Sequence, residues 1–315
     1  MKKILLFAAA AILANASKTA AQDARDVITF EYGSLQVSVL SEGQSSGKIG
    51  TLIGATPDQL QRYAPDGTYP SATNVFLVRA KDGPTVLIDA GYGRKLFDNL
   101  KSLDVAPEQV DAVLLTHMHG DHIGGLLRDG KAAFPAASLL IAKAEHDYWT
   151  SAAEMEAVPA NRRGGFVAAQ KAIEVYKARL VLFTPGELDA TKCDSMMIPE
   201  VTIYPQPNTY IKAIASYGHT PGHTAYLLES GEAKLLVWGD LTHAMAIQVP
   251  CPEVAMTYDV NPTKAVETRK KIFDYLFQNK IAAGGMHVAF PAIGTLKEGK
   301  TGAREWKAIC DCEGY

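Results

Sequence analysis

The stretch Thr116-His117-Met118-His119-Gly120-Asp121-His122 puts three histidines and an aspartate within six consecutive positions. Imidazole nitrogen and carboxylate oxygen are the donors that Zn²⁺ and similar divalent ions take. Four such groups crowded into one short segment are hard to explain as packing, so the chemistry they point to is metal binding. The apolar run Ala112-Val113-Leu114-Leu115 precedes them and Ile123-Gly124-Gly125-Leu126 follows. That pattern predicts a buried strand, a tight loop and a glycine-rich helix start.

Three later stretches repeat the design of an apolar strand ending in a metal-type donor. Residues 211–217 run into Gly218-His219-Thr220-Pro221-Gly222-His223. Leu235-Leu236-Val237-Trp238 runs into Gly239-Asp240, and Ile281-Ala282-Ala283 runs into Gly284-Gly285-Met286-His287. Functional groups on loops held by a rigid sheet are a common way to build a site. Five of the eight histidines and two aspartates can be drawn into one centre in this way.

The ordered set His117-x-His119-x-Asp121-His122, His219, Asp240 and His287 resembles the metallo-β-lactamase superfamily, over nearly all of the chain beyond its first residues. The resemblance implies an α+β, four-layer αβ/βα sandwich with metals at one edge between two mixed sheets. It also implies two divalent ions, Zn²⁺ by default. His117, His119 and His219 would hold one, Asp121, His122 and His287 the other, and Asp240 would bridge them. Two cations about 3.5–4 Å apart acidify a shared water, giving a hydroxide nucleophile, and polarise the scissile oxygen. The true β-lactamases carry a cysteine at the bridging step, which argues against that activity. Asp121, Asp240 and His243 are the candidate catalytic residues. Asp89, in Ile-Asp-Ala-Gly, is expected to orient a ligand histidine, with a turn cap on Gly91 as the alternative.

Two subfamilies fit. The resemblance to exported N-acyl-homoserine lactonases implies ring opening of lactones, and so quorum quenching. The stretch from Tyr217 to Leu296 is also similar to methyl-parathion hydrolase, which implies phosphotriester or aryl-ester hydrolysis. Many of the lactonases have a tyrosine three residues after the bridging aspartate, where this chain has His243. That histidine either contacts a substrate oxygen or is structural. Alignment of Gly-His-Thr-Pro-Gly-His with the family favours His219 over His223 as the ligand. His146 reads as a helix-surface residue. Trp149 and Phe166, with Tyr148, Met196, Met197 and Phe290, are candidates for an apolar substrate pocket.

The elements that must position these groups alternate in type. Alternating apolar residues predict a hairpin over 28–39 and another over 74–89, turning at Asp82-Gly83. Residues 44–73, rich in Gly, Ser, Pro and Thr, read as irregular. Helices are expected over 94–103, 145–156, 166–179 and 263–280, and further strands over 111–115, 138–142, 180–183, 201–204, 211–216, 225–228 and 234–238. Hairpins mixed with strand–helix units predict mixed sheets covered by helices. The segment from about 145 to 180 reads as a helical insertion that could overhang the site.

The chain has 315 residues and a net charge of −3. That balance gives no basic face for nucleic acid and speaks against a nuclease. Met1-Lys2-Lys3, an apolar run over 4–13 and small residues to Gln22 read as a signal peptide over 1–22. The hydrolase domain would then occupy 23–315, exported to the periplasm or beyond, with no membrane anchor. Cys193, Cys251, Cys310 and Cys312 could be free or paired in that compartment. The expected partner is a small lactone or ester; relatives of this kind are often homodimers.

Overall fold

The computed structural model describes residues 26–188 and 208–309. The signal-peptide reading, the strand expected over 201–204, Met196, Met197 and three of the cysteines lie outside the described residues. Cys251 is buried with a free thiol.

Seven strands form one sheet in chain order: β1 (Val27–Tyr32), β2 (Leu35–Lys48), β3 (Thr68–Ala80), β4 (Thr85–Ile88), β5 (Ala112–Leu114), β6 (Ser138–Ala142) and β7 (Leu180–Phe183). The first four pair antiparallel through hairpins. From β4 onward every pairing is parallel. A second sheet, again in chain order, holds β8 (Thr209–Ala215), β9 (Thr224–Ser230), β10 (Ala233–Val237), β11 (Ala282–Gly284), β12 (Ile293–Glu298) and β13 (Arg304–Ala308). Its pairings are antiparallel except β10 with β11, which are parallel.

The period-two alternation of the parallel strands explains the layers. Val86, Ile88, Leu114 and Leu140 face a core between the two sheets, shared with Leu227, Leu235 and Trp238. Leu87, Val113, Leu139 and Ile141 point the other way, into an outer core. Both faces are buried, so these strands read as unbroken apolar runs. The outer core is covered by α2 (Leu96–Ser102) and α6 (Arg163–Tyr176), which bury Leu96 and Leu100, and Phe166, Ala169, Ala172 and Tyr176. That spacing is one helical stripe. On the far side, after the single turn α7 (Met245–Gln248), α8 (Pro262–Asn279) buries Ile272, Phe273 and Leu276 against the second sheet. The result is helix, sheet, sheet, helix. Each large apolar side chain so buried contributes roughly 1.5–3 kcal/mol relative to exposure.

The segment over 44–73 differs from expectation. Gln44 to Lys48 continue β2 and pair with Thr68 to Ala72 of β3, after a register shift between Ser41 and Gly43. A helix over Pro57–Tyr63 (α1) lies between, opened by a capping box in which the Thr56 hydroxyl accepts from Gln59 N and the Gln59 side-chain oxygen Oε1 accepts from Thr56 N. These strand ends run past the main core and expose most of their side chains, so they carry no apolar alternation to read. One anchor remains. The buried Tyr69 ring occupies the space a Cβ at Gly47 would fill, 2.2 Å away.

The segment between β6 and β7 is helical: α4 (Lys143–Thr150), α5 (Ala152–Ala157) and then α6. It packs as part of the outer layer rather than standing off the body. Gly164 and Gly165, expected in a break, lie in the first turn of α6.

The strand directions fix where the loops emerge. The carboxyl ends of β4, β5, β8, β10 and β11 deliver, in turn, Asp89, the 116–122 loop, the 216–223 loop, Asp240 and His287. Glu42, buried within the β2 register shift between Ser41 and Gly43, secures the first of these loops. Its carboxylate accepts from the backbone N–H groups of Tyr92 (2.5 Å), Gly93 (3.1 Å), Lys95 and Leu96 (both 3.0 Å). Gly91 is required there: its φ is +59°, and a Cβ would meet the Glu42 carboxylate at 2.3 Å. Glu42→Ala is expected to destabilise the fold by about 2 kcal/mol, because several donors lose a charged acceptor together. Chemical denaturation measures this; a change below about 0.5 kcal/mol would show that water replaces the carboxylate freely.

Candidate metal centre

The 116–122 loop turns immediately after β5 into a single short turn of helix, α3 (Gly120–Ile123). His117 Nε2 lies 2.9 Å from His119 Nδ1, which lies 2.9 Å from His219 Nε2. Asp240 Oδ2 is 3.6 Å from the first of these nitrogens and 3.4 Å from His219 Nε2. On the other side of Asp240, its Oδ1 faces His122 Nε2 at 3.1 Å and its Oδ2 faces His287 Nε2 at 3.1 Å. Asp121 stands 3.4 Å from His287 and 3.9 Å from His122. The donor atoms fall into groups within 4.8 Å: His117, His119, His219 and Asp240; Asp121, His122 and His287; and Asp240, His243 and His287. Every candidate ligand is thus brought to one edge of the sandwich.

The outer partners of these rings decide which nitrogen carries the proton. His122 Nδ1 donates to Asp89 Oδ2 at 2.7 Å, His219 Nδ1 to Asp259 Oδ1 at 2.8 Å, and His287 Nδ1 to the Ala72 carbonyl at 2.8 Å. His117 Nδ1 donates to Thr116 Oγ1 at 3.1 Å, since that hydroxyl gives its own proton to Asp89. In each neutral ring the Nε2 lone pair is therefore aimed inward. Lone pairs that meet at about 3 Å repel unless a cation lies between them. His122 Nε2 and Asp240 Oδ1 are buried, face each other and make no hydrogen bond. These His/Asp clusters are suited to binding metal ions.

The electrostatics agree. Burial and the neighbouring His219 hold His119 down to about 3. Burial also opposes charge on His122, but Asp240, Asp89 and Asp121 outweigh it and raise its pKa well above the usual value. His287, also buried, is pushed up to about 9 by Asp240 and Asp121. Without a cation, His122 and His287 thus take up protons against the carboxylates, the positive charge that a bound metal would supply in their place.

Several supports carry no mark in the motif. Glu145, fully buried on α4, accepts from Met118 N at 3.0 Å, Trp149 Nε1 at 2.5 Å, Thr220 Oγ1 at 2.6 Å and Gly222 N at 3.0 Å. It staples the 116–122 loop to the 218–223 loop. Asp259, just before α8, orients His219 and accepts from Met256 N. Asn74 donates through Nδ2 to the Met286 and Val288 carbonyls, fixing the turn that carries His287. Asp89 is held in a left-handed conformation, φ +61°, fully buried and bonded to both Thr116 and His122. Strain of this kind persists only where surroundings enforce it.

Residues 68–210 match the family model described as the metallo-β-lactamase superfamily. The chain carries a metallo-β-lactamase superfamily domain. Its fold agrees. A hydrolase of the β-lactamase superfamily called AbOPH superposes with a TM-score of 0.78 at 26% identity, over 92% of this chain and 99% of that one. AidC, a dizinc quorum-quenching lactonase solved with the product N-hexanoyl-L-homoserine, gives 0.76 at 25% identity, over 91% and 98%. Among curated proteins, the ribonuclease Z of Aeropyrum pernix is 44% identical over 83 residues; the match spans 25% of this chain and only 23% of that protein.

Within the superfamily domain the remaining histidines separate cleanly. His223 Nε2 accepts from Asp240 N at 2.9 Å while Nδ1 donates to the Ser216 carbonyl at 3.1 Å, so both nitrogens are committed outside the donor groups. His146 lies on α4 beside Asp147. His243 is buried, with Nε2 2.9 Å from Asp240 Oδ2 and its ring stacked on His287 at 4.7 Å. Gln248 accepts from its backbone N–H.

Among the described residues, Trp149 and Phe166 belong to the core rather than to a pocket. Trp149 and Phe166 are packed into the outer core, 4.7 Å apart, with the Trp149 edge against His119 at 5.5 Å. They are held there by the same hydrophobicity that suggested them. The cavity that reaches Asp121 and His287 is about 250 Å³ and is lined instead by Gln44, Ser45, Ser71, Thr73, Tyr92 and Arg94 among others.

A metal ion at His287 must displace a proton held with a pKa of about 9. Apparent Zn²⁺ affinity is therefore expected to climb as pH rises from about 6 to about 9, by up to about tenfold per pH unit for each proton displaced. Competition against a chelator of known pH dependence measures it, and a flat profile would contradict the assignment.

Proposed function

We propose that the chain is a dinuclear metal-dependent hydrolase that opens the lactone ring of N-acyl-homoserine lactones. The observation that carries the reading is the crowding of two donor groups, His117, His119, His219 and Asp240 beside Asp121, His122 and His287, into one buried edge suited to holding cations, with His122 Nε2 and Asp240 Oδ1 left without a partner. Near-complete overlap with a dizinc lactonase supports the substrate class. His117, His119 and His219 hold one ion, Asp121, His122 and His287 the other, and Asp240 reaches both. Bound there, two divalent ions, taken as Zn²⁺, supply an acidified water and polarise the scissile carbonyl.

The chain's own residues do the rest. Asp121 faces the cavity and accepts a proton from the attacking water. Asp240 is held from two sides, by its own N–H on His223 and by His243 Nε2 on its carboxylate. His243 therefore acts as a positioning residue before it acts on substrate. Asp89, Asp259 and the Ala72 carbonyl keep the ligand rings in one tautomer. Such outer partners are typically worth about 10–100-fold in metal affinity or activity.

A second reading, hydrolysis of phosphotriesters or aryl esters, rests on His243 standing where a lactonase-type tyrosine would assist the carbonyl. A panel of acyl-homoserine lactones, aryl esters and paraoxon-type triesters on metal-quantified protein separates the two. Lactone opening should be fastest, and Asp240→Ala should lower it by at least about 100-fold with the fold retained by circular dichroism. Turnover of triesters without lactone opening would reverse the order. No turnover of any member would defeat the hydrolase reading.

A further inference from the structure

The cavity beside Asp121 and His287 is small, about 250 Å³, and polar. Hydroxyl and amide side chains from the outer ends of β2 and β3, Gln44, Ser45, Ser71 and Thr73, line it opposite Tyr92 and Arg94. The exposed Arg94 guanidinium lies over the exposed Tyr92 ring, 4.3 Å from its centroid, and both residues line the cavity. Among the described residues no carboxylate pairs with Arg94.

The two carboxylates that share the cavity are committed elsewhere. Glu42 is saturated by four backbone N–H donors. Asp121 faces His287 and His122. Arg94 therefore keeps its charge and donors for whatever enters. A guanidinium presents parallel N–H groups that match two oxygens at once. An alkyl tail placed here would remove water from these polar groups and give nothing back.

We propose that Arg94, held in place by Tyr92, determines specificity by binding a paired-oxygen group on the part of the substrate that is not cleaved. A carboxylate presents such a pair, and so do the two carbonyl oxygens of a 3-oxoacyl amide. This inference rests on the hydrolase reading and names the substrate class that the same site selects.

The test compares metal-loaded wild type with Arg94→Gln on two matched pairs: 3-oxohexanoyl- against hexanoyl-homoserine lactone, and a monoaryl glutarate against the aryl pentanoate with the same leaving group. Wild type should prefer the oxygen-bearing member of at least one pair by about tenfold in kcat/KM. Which pair shows the preference distinguishes the dicarbonyl from the carboxylate. Arg94→Gln should reduce the preference to about unity, with the change in KM, and Arg94→Lys, which keeps the charge without the fork, should restore only part of it. No preference in wild type, or a preference that survives Arg94→Gln, overturns the proposal. Calorimetry with glutarate keeps the two readings apart. If wild type hydrolyses nothing but Arg94→Gln still weakens glutarate binding about tenfold, the hydrolase reading fails while Arg94 stands as a paired-oxygen binding site. Equal glutarate affinities in the two proteins, with no Arg94-dependent preference in either pair, overturn it.

Discussion

The structure depends on one electrostatic constraint. Five imidazole nitrogens and two carboxylates are forced together in a buried space where they satisfy one another only in part. The His122 Nε2 lone pair and Asp240 Oδ1 face each other at 3.1 Å, both buried, with no hydrogen bond between them. Leaving such groups uncompensated costs several kcal/mol. A chain that went to that length by accident would relax by turning a ring. Here the rings cannot turn, because Asp89, Asp259, Thr116 and the Ala72 carbonyl hold their outer nitrogens.

That rigidity is inherited from the sheets. The strands that carry the donors run in one direction where it matters, so their carboxyl ends reach the same edge of the sandwich. Buried acceptors and donors then tie neighbouring loops together. Glu42 holds the loop after β4, Glu145 joins the loops after β5 and β8, and Asn74 fixes the loop after β11. Arg269, buried on α8, does the same for the segment after Asp240, donating to the Leu241 and Val254 carbonyls. Each is a buried polar group that makes several hydrogen bonds at once, although Asn74 Oδ1 is left without a partner. The core supplies stability; these few side chains convert it into positional accuracy.

Much of this was legible in the chain. Clustered histidines and aspartates after apolar runs show strand ends loaded with donors, and the alternation of apolar runs with helical stripes shows mixed sheets under helices. The supports were not legible. Glu145 and Asp259 sit in ordinary helical and pre-helical contexts, 27 and 40 residues from the groups they serve. Nothing local marks a carboxylate whose partners are that far away; Asp259 looks like a helix cap. The Gln44–Lys48 extension is not legible because a strand exposed on most of its length has no period to detect, although Thr56-Pro57-Asp58-Gln59 does carry a readable capping box. Trp149 and Phe166 mislead for the opposite reason: large aromatic residues near a motif are drawn into the core by the same property that would recommend them for a pocket.

The central claim is that this edge of the sandwich holds two cations around one shared carboxylate. Elemental analysis combined with native mass spectrometry of protein purified without added chelator counts them directly. The account requires two metal ions per chain in the wild type and a loss of both ions' tight retention in Asp240→Ala. A wild-type stoichiometry of one or none after incubation with excess Zn²⁺, Mn²⁺ or Fe²⁺ would contradict it.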